Sequence, residues 1–247
     1  MPDNPPDLPD IASGYDALTD WTDTESLATP WATGVYQQTF TWPATTQLVP
    51  DPANDRVLLA GCGRGDTVEW FLERDAAVVG VDISAGALAV ARERHPSATF
   101  HHGRLANAST LLEEPVDLVV SHLVVSHVPS LAAVFAALRE AARLEATLVV
   151  TTIHPRYLAE QHDIDRYASP TATTSDWSTV DLPTYYRPTG RLLESVATTG
   201  WRLTAVREPE PPAQLREHAP ERYERALERP ELLVLQAQAD DPVGQTG

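Results

Sequence analysis

The chain has 247 residues and a formal charge of −17, and all 18 of its basic residues are arginine. That length fits one α/β domain, and the absence of clustered cations argues against nucleic acid as a partner. Acidity without lysine fits work in molar salt, where the Debye length falls to about 3 Å and self-repulsion is screened; a GC-rich genome that favours arginine codons is the alternative.

Residues 1–10, MPDNPPDLPD, read as a disordered tail. They have neither a basic region nor an apolar run, so no signal peptide is expected. Residues 11–50 form a helical cap dense in aromatics, among them Tyr15, Trp21, Trp31, Tyr36, Phe40 and Trp42. Strand-like runs follow at 57–60, 78–81, 98–100, 117–121 and 147–153, and LAAVFAALREAARL at 131–144 is an amphipathic helix behind a Pro-Ser start. Buried apolar strands alternating with such helices imply a parallel sheet covered on both faces. Residues 155–186 are polar and rich in turn formers, and a helix closed by Gly200 follows them. WRLTAVREP at 201–209 and ELLVLQAQ at 231–238 read as the last strands, joined by a proline-rich, charged connection too irregular for a crossover helix, and 240–247 as a second disordered tail. The domain therefore runs from 11 to 239. No stretch approaches the roughly 18 apolar residues of a membrane span. A single cysteine, Cys62, excludes an internal disulfide and fits a cytoplasmic protein.

The richest segment is VLLAGCGRGD at 57–66, where a buried strand breaks into Gly61, Gly63 and Gly65. Such spacing lets a nucleotide-sized group approach the main chain. A second strand, VVGVDIS, ends on Asp82, which is placed to accept both hydroxyls of a ribose. The dinucleotide fingerprint G-x-G-x-x-G fails, because Asp66 stands where its third glycine belongs.

G-x-G-x-G followed by that acid resembles the class I S-adenosylmethionine-dependent methyltransferases, and most of the chain is similar to their type 11 small-molecule group. The resemblance implies a Rossmann-like sheet, mostly parallel with an antiparallel final strand and helices on both faces. It implies S-adenosyl-L-methionine as cofactor, with Gly61, Cys62, Gly63 and Gly65 curving under its methionine half. Tyr15 would lie over the methionine carboxylate, Asp82 would hold the ribose and Ile83 would pack on the adenine. FHHGRLAN, DLVVSHLVVSHVPSL and TLVVTTIHPRY match later family segments. They place Arg104 and Leu105 by the adenine, Ser121 and His122 by the methionine portion, and His127 and His154 as candidate bases facing the acceptor. The 155–186 insertion would shape the acceptor pocket, and Tyr186 and Arg187 of YYRP would contact the acceptor, Arg187 as partner for an acidic one. Two positions depart from the family: Leu59 and Arg104 stand where acids are usual, and arginine cannot accept a hydrogen bond. His154, His162, Asp163 and Asp165 match no zinc spacing, so no metal is expected.

The reading is methyl transfer to a small organic acceptor, with the oligomeric state open. An RNA or protein acceptor on the same fold, or a cofactor-binding protein without catalysis, are the alternatives.

Overall fold

The computed structural model describes residues 10–19, 34–177 and 180–240. Seven strands form one sheet: β1 (Arg56–Ala60), β2 (Ala77–Asp82), β3 (Thr99–His102), β4 (Val116–His122), β5 (Ala142–Ile153), β8 (Trp201–Arg207) and β9 (Leu232–Ala239). Their order is β3-β2-β1-β4-β5-β9-β8. β1 to β5 pair in parallel, and β9 runs antiparallel to both β5 and β8. The expected Rossmann-like sheet, with its antiparallel final strand, is therefore present.

Alternation along β1 explains why the sheet needs cover on both faces. Val57 and Leu59 belong to one apolar core, Leu58 and Ala60 to the other, and all four are buried. Helices α1 (Ile11–Thr19), α2 (Gly34–Tyr36), α3 (Trp42–Thr46), α4 (Val68–Leu72), α5 (Ala85–Arg94), α6 (Ala108–Leu111) and α7 (Leu131–Ala141) supply most of that cover. A π-helical turn, Gln37–Thr41, joins α2 to α3. Its start is tied to the far end of the chain: Tyr36 Oη donates to buried Glu231 Oε2 at 2.8 Å, and Arg222 Nε donates to the same oxygen at 2.9 Å.

Three expectations need correction. The helix at 131–144 stops at Ala141, because Ala142 already pairs with Val116 as β5 begins. The register then shifts, and Glu145 (φ 65°) takes the left-handed backbone that favours glycine. The 155–186 stretch, expected as a polar insertion rich in turn formers, is built largely of regular elements. It forms α8 (Pro155–Gln161) and a hairpin of β6 (Thr171–Trp177) with β7 (Val180–Tyr186), and the next helix, α9 (Thr189–Ala197), starts beyond Tyr186. Between β8 and β9 lie two helices, α10 (Ala213–His218) and α11 (Pro220–Glu228), where the sequence suggested an irregular connection. The expected tails lie outside the described residues except for Asp10 and Asp240. Asp10 caps α1, accepting from Ser13 N at 3.0 Å, and Asp240 N donates to Gly200 O at 3.0 Å.

Candidate cofactor and acceptor site

The strand order reverses between β1 and β4, which opens a crevice at the carboxyl ends of the strands. A cavity of about 650 Å³ occupies it. The glycine loop forms its floor, hung on β2 by Gly61 N and Cys62 N, which donate to Val81 O at 2.8 and 3.2 Å.

Each glycine of the loop does different work. At Gly61 (φ 82°) an added Cβ would lie 2.4 Å from Val124 Cγ2, and at Gly65 (φ 79°) 2.9 Å from the His95 ring, so both are packing positions. Gly65 does not line the cavity. Gly63 (φ 52°) has no described protein atom within 4 Å of its Cβ position, which leaves its backbone bare to the cavity. Cys62 lines the cavity and packs at the bare Gly80 of β2, and burial pushes its thiol pKa up.

Asp82 lies at the end of β2, where Oδ2 accepts from Gly63 N at 2.8 Å and Oδ1 from Ser84 N at 2.9 Å. Burial raises its pKa, against those hydrogen bonds, which lower it. Ile83, Arg104 and Leu105 line the same end of the cavity, as expected. Over it lies α1, pinned by Asp16 Oδ1, which accepts from Ser84 Oγ at 2.6 Å and Gly86 N at 3.0 Å. Tyr15 of α1 lines the cavity and meets the His127 ring edge-on at 5.9 Å.

On the β4 and β5 side stand His122, Leu123, Val124, His127 and Ile153, facing Gln37, Gln38 and Trp42. His122 Nε2 pairs with Thr41 Oγ1 at 3.0 Å, and burial pushes its pKa down to about 4. The Trp42 ring packs edge-on against His122 at 5.4 Å and Trp70 at 5.7 Å. Leu123 turns the chain with φ 60°, its N donating to Thr151 O at 2.8 Å. His127 Nδ1 is 2.9 Å from Pro183 O. A carbonyl only accepts, so Nδ1 carries the proton and the lone pair sits on Nε2. Burial lowers the pKa of His127 too.

Besides Gly65, the structure takes four expected residues out of this space. Ser121 is buried beneath the floor and absent from the lining. His154 is also absent: its Nδ1 accepts from Arg156 N at 3.0 Å to cap α8, and its Nε2 donates to Glu208 Oε1 at 2.9 Å, so both nitrogens are engaged elsewhere. Tyr186 is fully buried and its hydroxyl donates to Tyr167 O at 2.5 Å. Arg187 donates to the carbonyls of Val128, Pro129 and Tyr185, which ties β7 to the turn after β4 and leaves it outside the cavity. Leu59 is core, 3% exposed, which accounts for an apolar residue there but supplies no acid beneath the loop. Among the described residues no group of three metal-ligating side chains is placed to hold an ion.

Sequence reasoning missed Asp16, Gln37, Gln38 and Leu123. The local sequence around these residues gives no ligand motif. Their roles arise from contacts 68 residues away in the case of Asp16, and from a π-helical turn that no hydrophobic period announces.

Residues 57–145 match the model of a family described as "Methyltransferase domain". Among curated proteins, the chain is 38% identical over 93 residues to trans-aconitate 2-methyltransferase of Methylobacterium nodulans, covering 36% of this chain and 35% of that protein. It is 34% identical over 103 residues to ubiquinone biosynthesis O-methyltransferase of Hahella chejuensis, covering 40% and 43%. These matches thus span well under half the length of either relative. Among solved structures, an S-adenosylmethionine-dependent methyltransferase from Mesorhizobium loti is 26% identical, with a TM-score of 0.66 over 80% of this chain and 96% of that one. A similar protein from Listeria monocytogenes is 22% identical, with a TM-score of 0.72 over 81% and 97%. Sheet order and these neighbours together show the Rossmann-like fold found in S-adenosylmethionine-dependent methyltransferases, and residues 57–145 match a methyltransferase domain.

Proposed function

We propose that this chain moves the methyl group of S-adenosylmethionine to a small organic acceptor bound in the same cavity. One observation carries the reading: the bare backbone of Gly63, the carboxylate of Asp82 and the ring of His127 open into one space. The cofactor fits that space in kind, with Asp82 for the ribose, Ile83 and Leu105 for the adenine, and the 61–63 backbone for the methionine half. When bound, it supplies an electrophilic methyl carbon and leaves as a neutral thioether.

The protein's own part is placement and proton removal. Tyr15, Trp42 and α1 exclude water and fix the acceptor against the cofactor end. His127, held by Pro183 O and neutral near pH 7, accepts the proton that an acceptor O–H or N–H must lose. The curated relatives named above support a small acceptor, and the charge of −17 disfavours nucleic acid. A cytoplasmic location and adaptation to high salt belong to the same proposal.

Formation of S-adenosylhomocysteine from S-adenosylmethionine across an acceptor panel, followed by mass spectrometry, tests it. His127→Ala should lower kcat by about 10² to 10⁴ with little change in cofactor affinity. Failure of the cofactor to bind refutes the proposal. Binding without turnover for any acceptor would favour the non-catalytic alternative, for which Leu59 and Arg104 speak.

A further inference from the structure

The lining of the cavity changes character along the sheet. Its charged residues sit at the β1, β2 and β3 end: Arg64, Asp66, Asp82, Arg94 and Arg104. Arg94 is already committed, donating to Asp66 Oδ1 at 2.5 Å and to Arg64 O at 3.0 Å. At the β4 and β5 end the lining includes Tyr15, Gln38, Trp42, His122, His127 and Ser130 beside aliphatic side chains, with no arginine among the described residues.

The remaining chain cannot supply the missing charge. The sequence has no lysine, and all of its arginines and histidines fall within the described residues. Arg187, which ties β7 to the turn after β4, spends its guanidinium on three backbone carbonyls. His122 and His127 are neutral near pH 7, since burial lowers both of their pKa values. A carboxylate bound at this end would therefore leave water with no protein cation beside it, which is unfavourable.

Resting on the proposed methyltransferase reading, we infer that the acceptor is an uncharged aromatic hydroxyl compound, and that polycarboxylates such as trans-aconitate are excluded. Trp42, wedged between the His122 and Trp70 rings, offers a rigid aromatic wall. The Gln38 amide, which also lines this end, offers a neutral hydrogen-bonding group suited to a hydroxyl. Several curated relatives are trans-aconitate 2-methyltransferases, so the inference separates this chain from them in substrate.

The test is calorimetric titration of the protein loaded with S-adenosylhomocysteine, at constant KCl, with catechol, 4-methylphenol and trans-aconitate. At least one phenol should bind about a hundredfold or more tighter than trans-aconitate. Equal or tighter binding of trans-aconitate overturns the inference and leaves the methyltransferase reading standing. Failure of both phenols to bind also overturns it. Failure of the loading step removes both readings.

Discussion

Two glycines of the loop, two residues apart, should fail for different reasons when a methyl group is added. Gly61→Ala forces alanine into φ 82° and drives its Cβ to 2.4, 2.8 and 3.1 Å from three atoms of Val124. The left-handed backbone costs about 1–2 kcal/mol and the overpacking about 1–3, so stability should fall by roughly 2–5 kcal/mol. Val124→Ala in that background removes the two closest atoms and should restore the overpacking part while leaving the backbone part. Gly63→Ala has φ 52° and meets no described atom, so it should cost only the ~1–2 kcal/mol of backbone. Its methyl group enters the cavity instead, and S-adenosylhomocysteine should bind about tenfold or more weakly, a loss of ~1.4 kcal/mol. Urea unfolding followed by circular dichroism at fixed KCl gives the first quantity, and calorimetry the second. Equal stability losses at the two positions, or no recovery with Val124→Ala, would refute the division between a packing glycine and a ligand-facing one.

His154→Ala should remove the cap of α8 and cost about 1 kcal/mol of stability, with kcat and cofactor affinity unchanged; a fall in kcat would return His154 to the site. His122, held at about 4 in the fold against an ordinary 6.5, stays neutral while the unfolded chain takes up a proton. The stability it confers is thus complete above pH 6.5 and is lost as pH falls towards 4, by about 3 kcal/mol at most. The stability difference between wild type and His122→Gln should therefore shrink between pH 7 and 4.5, and a constant difference contradicts a buried neutral imidazole. Lowering KCl from molar to about 0.1 M lengthens the Debye length to about 10 Å and should lower the urea midpoint by exposing acidic repulsion. A midpoint independent of salt would leave codon usage to explain the missing lysines.

What the sequence made legible was local. The β1–glycine loop–β2 unit could be read because a buried strand, positive-φ glycines and a strand-end carboxylate fall within 26 residues, Val57 to Asp82. The sheet order followed from apolar runs that only a two-faced core can bury. The acceptor end was legible only at His122 and His127, because Gln37 and Ile153 reach it from separate elements with no local motif. His154 misled for a physical reason: histidine before proline at a helix start serves as an N-cap, and that demand outweighed any pull toward the cavity. Arg187 misled likewise, since a guanidinium with several donors satisfies buried carbonyls as readily as an acidic ligand. Sequence pattern did not distinguish these uses, and the backbone position did.

Cofactor binding by wild type and Asp82→Ala, titrated calorimetrically with S-adenosylhomocysteine and with NAD, tests the central claim most directly. Asp82 is half-buried at the cavity floor with its oxygens held by Gly63 N and Ser84 N, ready to receive a diol. The wild type should bind S-adenosylhomocysteine and not NAD, and Asp82→Ala should weaken that binding by about 1.5–3 kcal/mol while remaining folded. Binding of NAD in preference, or an affinity for S-adenosylhomocysteine that Asp82→Ala leaves unchanged, would contradict a methyltransferase cofactor site built on the glycine loop and Asp82.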